Sequence, residues 1–211
     1  MVFKHDPKVV NEDALCVVID DDRTGFAVAD AHYGPESSHA LIERLHQRWV
    51  AQGVPATPDE LFLSVASVGG VAETDSETAL LVAAHAGGAD GGFGLSIGDA
   101  SLVIVGADHT GAALNPQNHR YVTADGDDAE PLPFAFATTK GDLILAFTDG
   151  VDECHYRNPA TSIRPSHIAQ VAEATARDPR GVVEMLAQLA LDGVDGNPGG
   201  QDNIAIVAIR A

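Results

Sequence analysis

The chain has 211 residues, a size for one domain, with 31 acidic and 12 basic side chains and a formal net charge of −19 at pH 7. So negative a surface repels nucleic acid and anionic membranes, while 45% hydrophobic residues supply a sizeable core and exclude a disordered acidic tail. The longest apolar run, Ala79–Ala84, is too short for a bilayer, Asp6 interrupts any secretory leader, and two cysteines point to a reducing cytoplasm rather than a disulfide framework.

Ala14–Asp20 and Gly25–Ala31 are apolar runs joined by the polar Asp21-Asp22-Arg23-Thr24, which reads as an antiparallel hairpin. From Pro35 to Gln52, Leu41, Ile42, Leu45 and Trp49 recur at helical spacing, with Ser37 and Ser38 as caps. Thr57-Pro58-Asp59-Glu60 opens a second helix that runs to Val68. Strands follow at Ala79–Ala84, Gly92–Ile97, Ser101–Val105, Phe134–Thr138 and Leu143–Thr148, with a glycine-rich hairpin turn over Gly87–Gly94. Thr110–Glu130, irregular and rich in Asn, Gln and Asp, reads as a surface loop or small insertion. Two helices near Pro165–Ala176 and Arg180–Leu191 precede a last strand, Asn203–Ile209. Helices in pairs and strands in consecutive runs predict an α+β fold of antiparallel sheets covered by helices.

One phrase recurs. The run from Phe26 ends in Asp30-Ala31-His32, the run from Leu143 ends in Asp149-Gly150, and Leu95-Ser96-Ile97 leads into Gly98-Asp99. Asp202 stands before the final strand. A single Asp at a strand end is explained by turn capping. Four of them can be aimed at one point, where their mutual repulsion calls for a cation. Oxygen-only ligands suit hard ions, Mg²⁺ or Mn²⁺. A small residue after the Asp lets the backbone carbonyl join them.

Asn11-Glu12-Asp13, Val28-Ala29-Asp30-Ala31-His32-Tyr33-Gly34, Gly98-Asp99, Thr148-Asp149-Gly150 and Asp202-Asn203 resemble, in order and rough placement from Glu12 to Ile209, the motifs of the 2C-type metal-dependent protein phosphatases. The resemblance implies one domain over residues 1–211, a four-layer α-β-β-α sandwich of two mainly antiparallel sheets flanked by helix pairs. It implies that Asp30 bridges two Mn²⁺ or Mg²⁺ ions, that the Ala31 carbonyl binds one of them, and that Asp149 and Asp202 complete the other. Asp99 would contribute to a third ion. Glu12, with Asp13, would hold the water around the metals. His32 would protonate the leaving serine or threonine oxygen, a role that contributes ~10²–10⁴-fold when the leaving group is a poor alkoxide.

Three positions depart from the family pattern. Ala31 replaces the usual Gly after the bridging Asp. The phosphate-binding Arg falls on Lys8, a point charge without the bidentate fork. The stretch between Asp99 and Asp149 is short, leaving a flap remnant around 108–133 that resembles the sporulation-type branch. The expected protein is a cytoplasmic monomer acting on phosphoproteins. The alternative kept beside it is a catalytically weak or inactive module that binds metal or a partner protein.

Other motifs compete. Asp20, Asp22 and Thr24 satisfy the D-x-D-x-T signature of haloacid-dehalogenase phosphatases, but the apolar run at Gly25 leaves no room for the helical crossover that fold needs. Neither Cys16 nor Cys154 has an Arg six residues on, which excludes cysteine phosphatases; Cys16 reads as core. His39, His46, His109, His119 and His167 lack ligand spacing. The excess of Asp over Glu and the scarcity of Lys fit either a high-salt cytoplasm or a GC-rich genome, which melting in low against molar salt separates.

Overall fold

The computed structural model describes residues 10–68, 75–88, 91–106, 113–123, 130–153, 162–200 and 202–211. Strands β1 (Asp13–Ile19) and β2 (Arg23–His32) form the expected hairpin. Asp20 closes its turn twice: its amide donates to the Arg23 carbonyl at 3.0 Å, and its Oδ1 accepts from the Arg23 amide at 3.0 Å. The D-x-D-x-T segment is therefore a tight antiparallel turn, and the haloacid-dehalogenase reading fails on topology.

Helix α1 (Glu36–Gln52) buries Leu41, Ile42, Leu45 and Trp49 along one stripe, as their spacing predicts. Trp49 Nε1 donates to Ser64 Oγ of α2 (Pro58–Val68) at 3.0 Å and holds the two helices as a pair. Thr57 Oγ1 accepts from the Glu60 amide at 3.2 Å, the cap its position predicts. Ser37 and Ser38 do not cap α1. That helix has Pro35 at its N-cap and no side-chain cap bond. Both serines are buried and bond outward, Ser37 to Ser76 and Ser38 to the Glu12 carbonyl, so they tie the helix to its neighbours instead.

Strands β3 (Glu77–Ala86), β4 (Gly91–Ile97), β5 (Ser101–Val105), β6 (Leu132–Ala137) and β7 (Leu143–Phe147) lead to a one-turn helix α3 (Asp149–Asp152). Helices α4 (Pro165–Ala174) and α5 (Pro179–Asp192) and strand β8 (Ile206–Arg210) complete the order. Two antiparallel sheets result, β1-β2-β3-β4-β6 and β5-β7-β8.

Three apolar layers make the sandwich. Leu41, Leu45, Trp49 and Leu61 cover Ala27, Leu80 and Val82 on the outside of the first sheet. Phe26, Val28 and Leu81 meet Leu102, Ile144 and Val207 between the sheets. Leu143, Leu145 and Phe147 meet Ile168, Val182 and Leu186 beneath α4 and α5. The middle strands are thus buried on both faces, which is why they read as continuous apolar runs rather than alternating ones. This is the four-layer α+β arrangement expected. Two details differ. Strand β8 begins at Ile206, because Ala205 bonds instead to Thr148 at the start of α3, and α3 itself is hidden in a Gly- and Asp-containing segment of low helix propensity. No helix among the described residues is long and apolar enough to cross a membrane.

Candidate active site

The β1–β2 register sets Asp13 directly opposite Asp30. Both are buried, 5% and 2% exposed, although like charges facing across a strand pair repel. Asp30 lies inside β2 rather than at its end, and His32, two residues on, shares its face. From the second sheet, Asp149 opens α3 just past β7, and Asp202 and Asn203 approach β8.

Hydrogen bonds lock these pieces together. Thr148 Oγ1 donates to Asp13 Oδ2 at 2.6 Å and accepts from the Ala205 amide at 3.0 Å, linking the sheets through one hydroxyl. The Glu12 amide donates to Asn203 Oδ1 at 2.8 Å, and Glu12 Oε1 accepts from the Gly34 amide at 2.9 Å. Gly34, at φ +126°, allows the turn after His32 that brings this amide back. Asp202 Oδ1 accepts from the Asn203 amide at 2.7 Å. Gly150 is required for a different reason: a Cβ there would stand 1.8 Å from the Asn203 carbonyl oxygen.

The segment from Leu114 to Val122 is no mere surface loop. Asn115 is buried, accepts from the Leu102 amide at 2.7 Å and donates to Ser96 Oγ and the Ala100 carbonyl at 3.0 and 2.8 Å. Gln117 donates to the Asp99 carbonyl at 2.7 Å. Asn118 exchanges bonds of 2.9 Å with Gly98. Val122 pairs with Thr78 through two backbone bonds of 2.8 and 3.0 Å. The segment carries Tyr121 to His32, edge-on with ring centres 4.8 Å apart, while Glu77 Oε1 stands 3.8 Å from His32 Nδ1. A cleft of ≈ 330 Å³ opens beside them, lined by Glu77, His119, Arg120, Tyr121 and Thr123. Lys8 lies outside the described residues, as do Cys154 and His109.

The electrostatics record the crowding. Burial, then the charges of Asp30 and Asp202, push the Asp149 carboxyl up to about 10. Burial lifts Asp13 to about 7 against the opposing hydroxyl of Thr148. Burial and the carboxylates of Asp99, Asp149, Asp30 and Glu77 push the Tyr121 phenol up to about 12. Among the described residues, one buried oxygen each of Asp13, Asp99 and Asp149 has no hydrogen-bond donor. Such oxygens are costly without a partner, and a hard cation is the partner their chemistry fits. No three acidic, His or Cys side chains among the described residues form a ready-made metal cage. Ions that keep several waters and accept backbone carbonyls do not need one.

No protein-family model and no curated protein sequence matches the chain. Solved structures do. The PPM Ser-Thr phosphatase MsPP from Mycobacterium smegmatis, solved with cacodylate, is 23% identical and superposes over 95% of this chain and 92% of its own at a TM-score of 0.69. The serine/threonine phosphatase of S. agalactiae, 15% identical, covers 95% and 93% at 0.72. The chain has the PPM/PP2C phosphatase fold. The PP2C domain of the cell fate determinant SpoIIE from Bacillus subtilis shares it at 16% identity and a TM-score of 0.68, over 96% of this chain and 58% of that one.

Within the PPM fold, the sequence motifs converge as a group: Glu12, Asp13, Asp30, Asp149 and Asp202 are joined by the bonds and charges above, and Asp99 acts on Asp149 from the β4–β5 turn. Ala31 is buried between Asp30 and His32. Three residues of the site carry no motif. Glu77 and Tyr121 reach His32 through strand register and a loop clip. Asp152, pushed up to about 7 by burial against the Ser101 hydroxyl, lies one helical turn from Asp149; that i, i+3 spacing was its only signal.

Proposed function

We propose that the protein hydrolyses phosphoserine and phosphothreonine on other proteins with Mn²⁺ or Mg²⁺. The observation that carries this reading is the set of buried, donor-less carboxylate oxygens of Asp13, Asp99 and Asp149 in a PPM fold. Asp30, Asp149, Asp202 and the Ala31 carbonyl would hold two ions, and Asp99 would serve a third. Bound there, hard divalent ions supply an activated water and neutralise charge on the phosphoryl oxygens.

The chain's own residues do the rest. Glu12 is fixed at its amide by Asn203 and at its carboxylate by Gly34, so it can orient water at the rim. Asp13 is held by Thr148 and supports Asp30 across the strand pair. His32, packed against the cleft residues Tyr121 and Glu77, would donate a proton to the departing alkoxide, and Lys8 would bind the phosphate as a point charge. The reading carries with it a cytoplasmic, monomeric enzyme of phosphoprotein signalling.

Hydrolysis of a phosphoserine peptide and of p-nitrophenyl phosphate with Mn²⁺, with and without EDTA, tests the proposal. Turnover should require metal and vanish in Asp149→Asn, which should also bind Mn²⁺ more weakly while staying folded. His32→Ala should lose far more on the peptide than on p-nitrophenyl phosphate, whose leaving group hardly needs a proton. Metal-independent turnover, or near-normal activity in Asp149→Asn, overturns the assignment.

A further inference from the structure

Register and loop geometry point to a residue that no motif marks: we infer that Glu77 is a positioning residue, holding His32 Nδ1 so that Nε2 faces the leaving group, with Tyr121 as the wall that fixes the ring plane. The inference rests on the reading of His32 as proton donor.

His32 ends β2 and Glu77 opens β3, and the two are register partners. Their separation, 3.8 Å from Nδ1 to Oε1, is longer than a hydrogen bond but within ion-pair reach once the imidazole is protonated, and both side chains are half-buried, 32% and 28% exposed. The chain on both sides of Glu77 is tied to β2 and to the turn that follows it. Ser76 Oγ donates to the Gly34 carbonyl at 2.6 Å, and Thr78 Oγ1 donates to the Asp30 carbonyl at 2.9 Å. Thr78 also carries the two backbone bonds to Val122, so Tyr121 is set against His32 by the same short stretch of β3. The rings meet at 86°, the edge-to-face arrangement that restricts rotation about χ2.

A histidine that passes a proton from one nitrogen needs the other nitrogen held, or the ring samples the wrong tautomer and orientation. Glu77 is the carboxylate placed to do this. Asp30 and Asp13, on the same sheet, are engaged with each other and with Thr148.

Ester selectivity in a double-mutant cycle tests the inference, using Mn²⁺-saturated full-length protein. Glu77→Gln, nearly isosteric, should lower kcat on a phosphoserine peptide about tenfold, a fraction of the ~10²–10⁴-fold a full proton donor supplies. KM and the turnover of p-nitrophenyl phosphate should stay within about twofold, which also shows the variant is folded. Tyr121→Leu should show the same selective loss. In a His32→Ala background, Glu77→Gln should have no further effect, since its action runs through that ring. A loss equal on both esters, or one that persists without His32, overturns the inference while leaving the active site intact. If His32→Ala itself loses equally on both esters, the proton-donor reading fails first and takes this inference with it.

Discussion

Gly150 is where fold and chemistry press hardest on a single residue. The Asn203 carbonyl comes so close that a Cβ would overlap it at 1.8 Å. Gly150→Ala must therefore move the Asp202–Asn203 segment away from Asp149. A loss of about 1–3 kcal/mol is expected from such overpacking, read as a lower urea midpoint, together with weaker Mn²⁺ binding by calorimetry. A midpoint equal to that of the parent protein would mean the segment yields freely. From the sequence, a small residue after the Asp lets the backbone carbonyl join the metal ligands; the structure adds a crowding that only tertiary contact reveals. Asp13, Asp30, Asp99, Asp149 and Asp202 were legible because apolar runs lead into or out of them. Glu77, Tyr121 and Asp152 were not, since register, a backbone clip and one unexpected helical turn place them.

Among the elements, the strands and long helices were visible because burial on one or two faces writes a period or a run into the sequence. The segment from Leu114 to Val122 writes neither. Its order comes from polar anchors, and polar anchors have no period. Asn115 makes the case: removing its amide in Asn115→Ala strands the Leu102 amide, the Ser96 hydroxyl and the Ala100 carbonyl in a dry setting. The expected destabilisation is about 1–3 kcal/mol, measured by urea unfolding, because a buried group loses its partner without regaining water. Hydrogen exchange should speed at Leu102 and along the segment but not in α5. Unchanged protection at Leu102 would contradict the anchoring role. The serines of α1 teach the same lesson, since Ser37 and Ser38 sit at cap spacing but spend their hydroxyls on Ser76 and Glu12.

For the whole molecule, the buried carboxyls link stability to pH and metal. Asp149 is raised to about 10 and Asp13 to about 7 in the folded chain, against about 4 when unfolded. The folded state therefore binds their protons more tightly than the unfolded one. That stabilisation is full below about pH 4, and rising pH removes it, Asp13's share by about 7 and Asp149's by about 10. Chelated protein should accordingly melt higher at pH 6 than at pH 8.5, and Asp149→Asn should flatten the difference. Mn²⁺ at pH 8.5 should raise the melting temperature by occupying the place the proton vacates. A melting temperature indifferent to both pH and Mn²⁺ would count against the carboxylate assignment.

The stitching of Glu12 to Asn203, and of Asp13 through Thr148 to Ala205, carries a consequence for synthesis. Translation supplies Glu12, Asp13, Asp30, Asp99 and Asp149 well before Asn203 and Ala205, whose bonds to Glu12 and Thr148 span 191 and 57 residues. The closed arrangement of these acidic residues should therefore form only as β8 docks, since contacts of such high sequence separation form late.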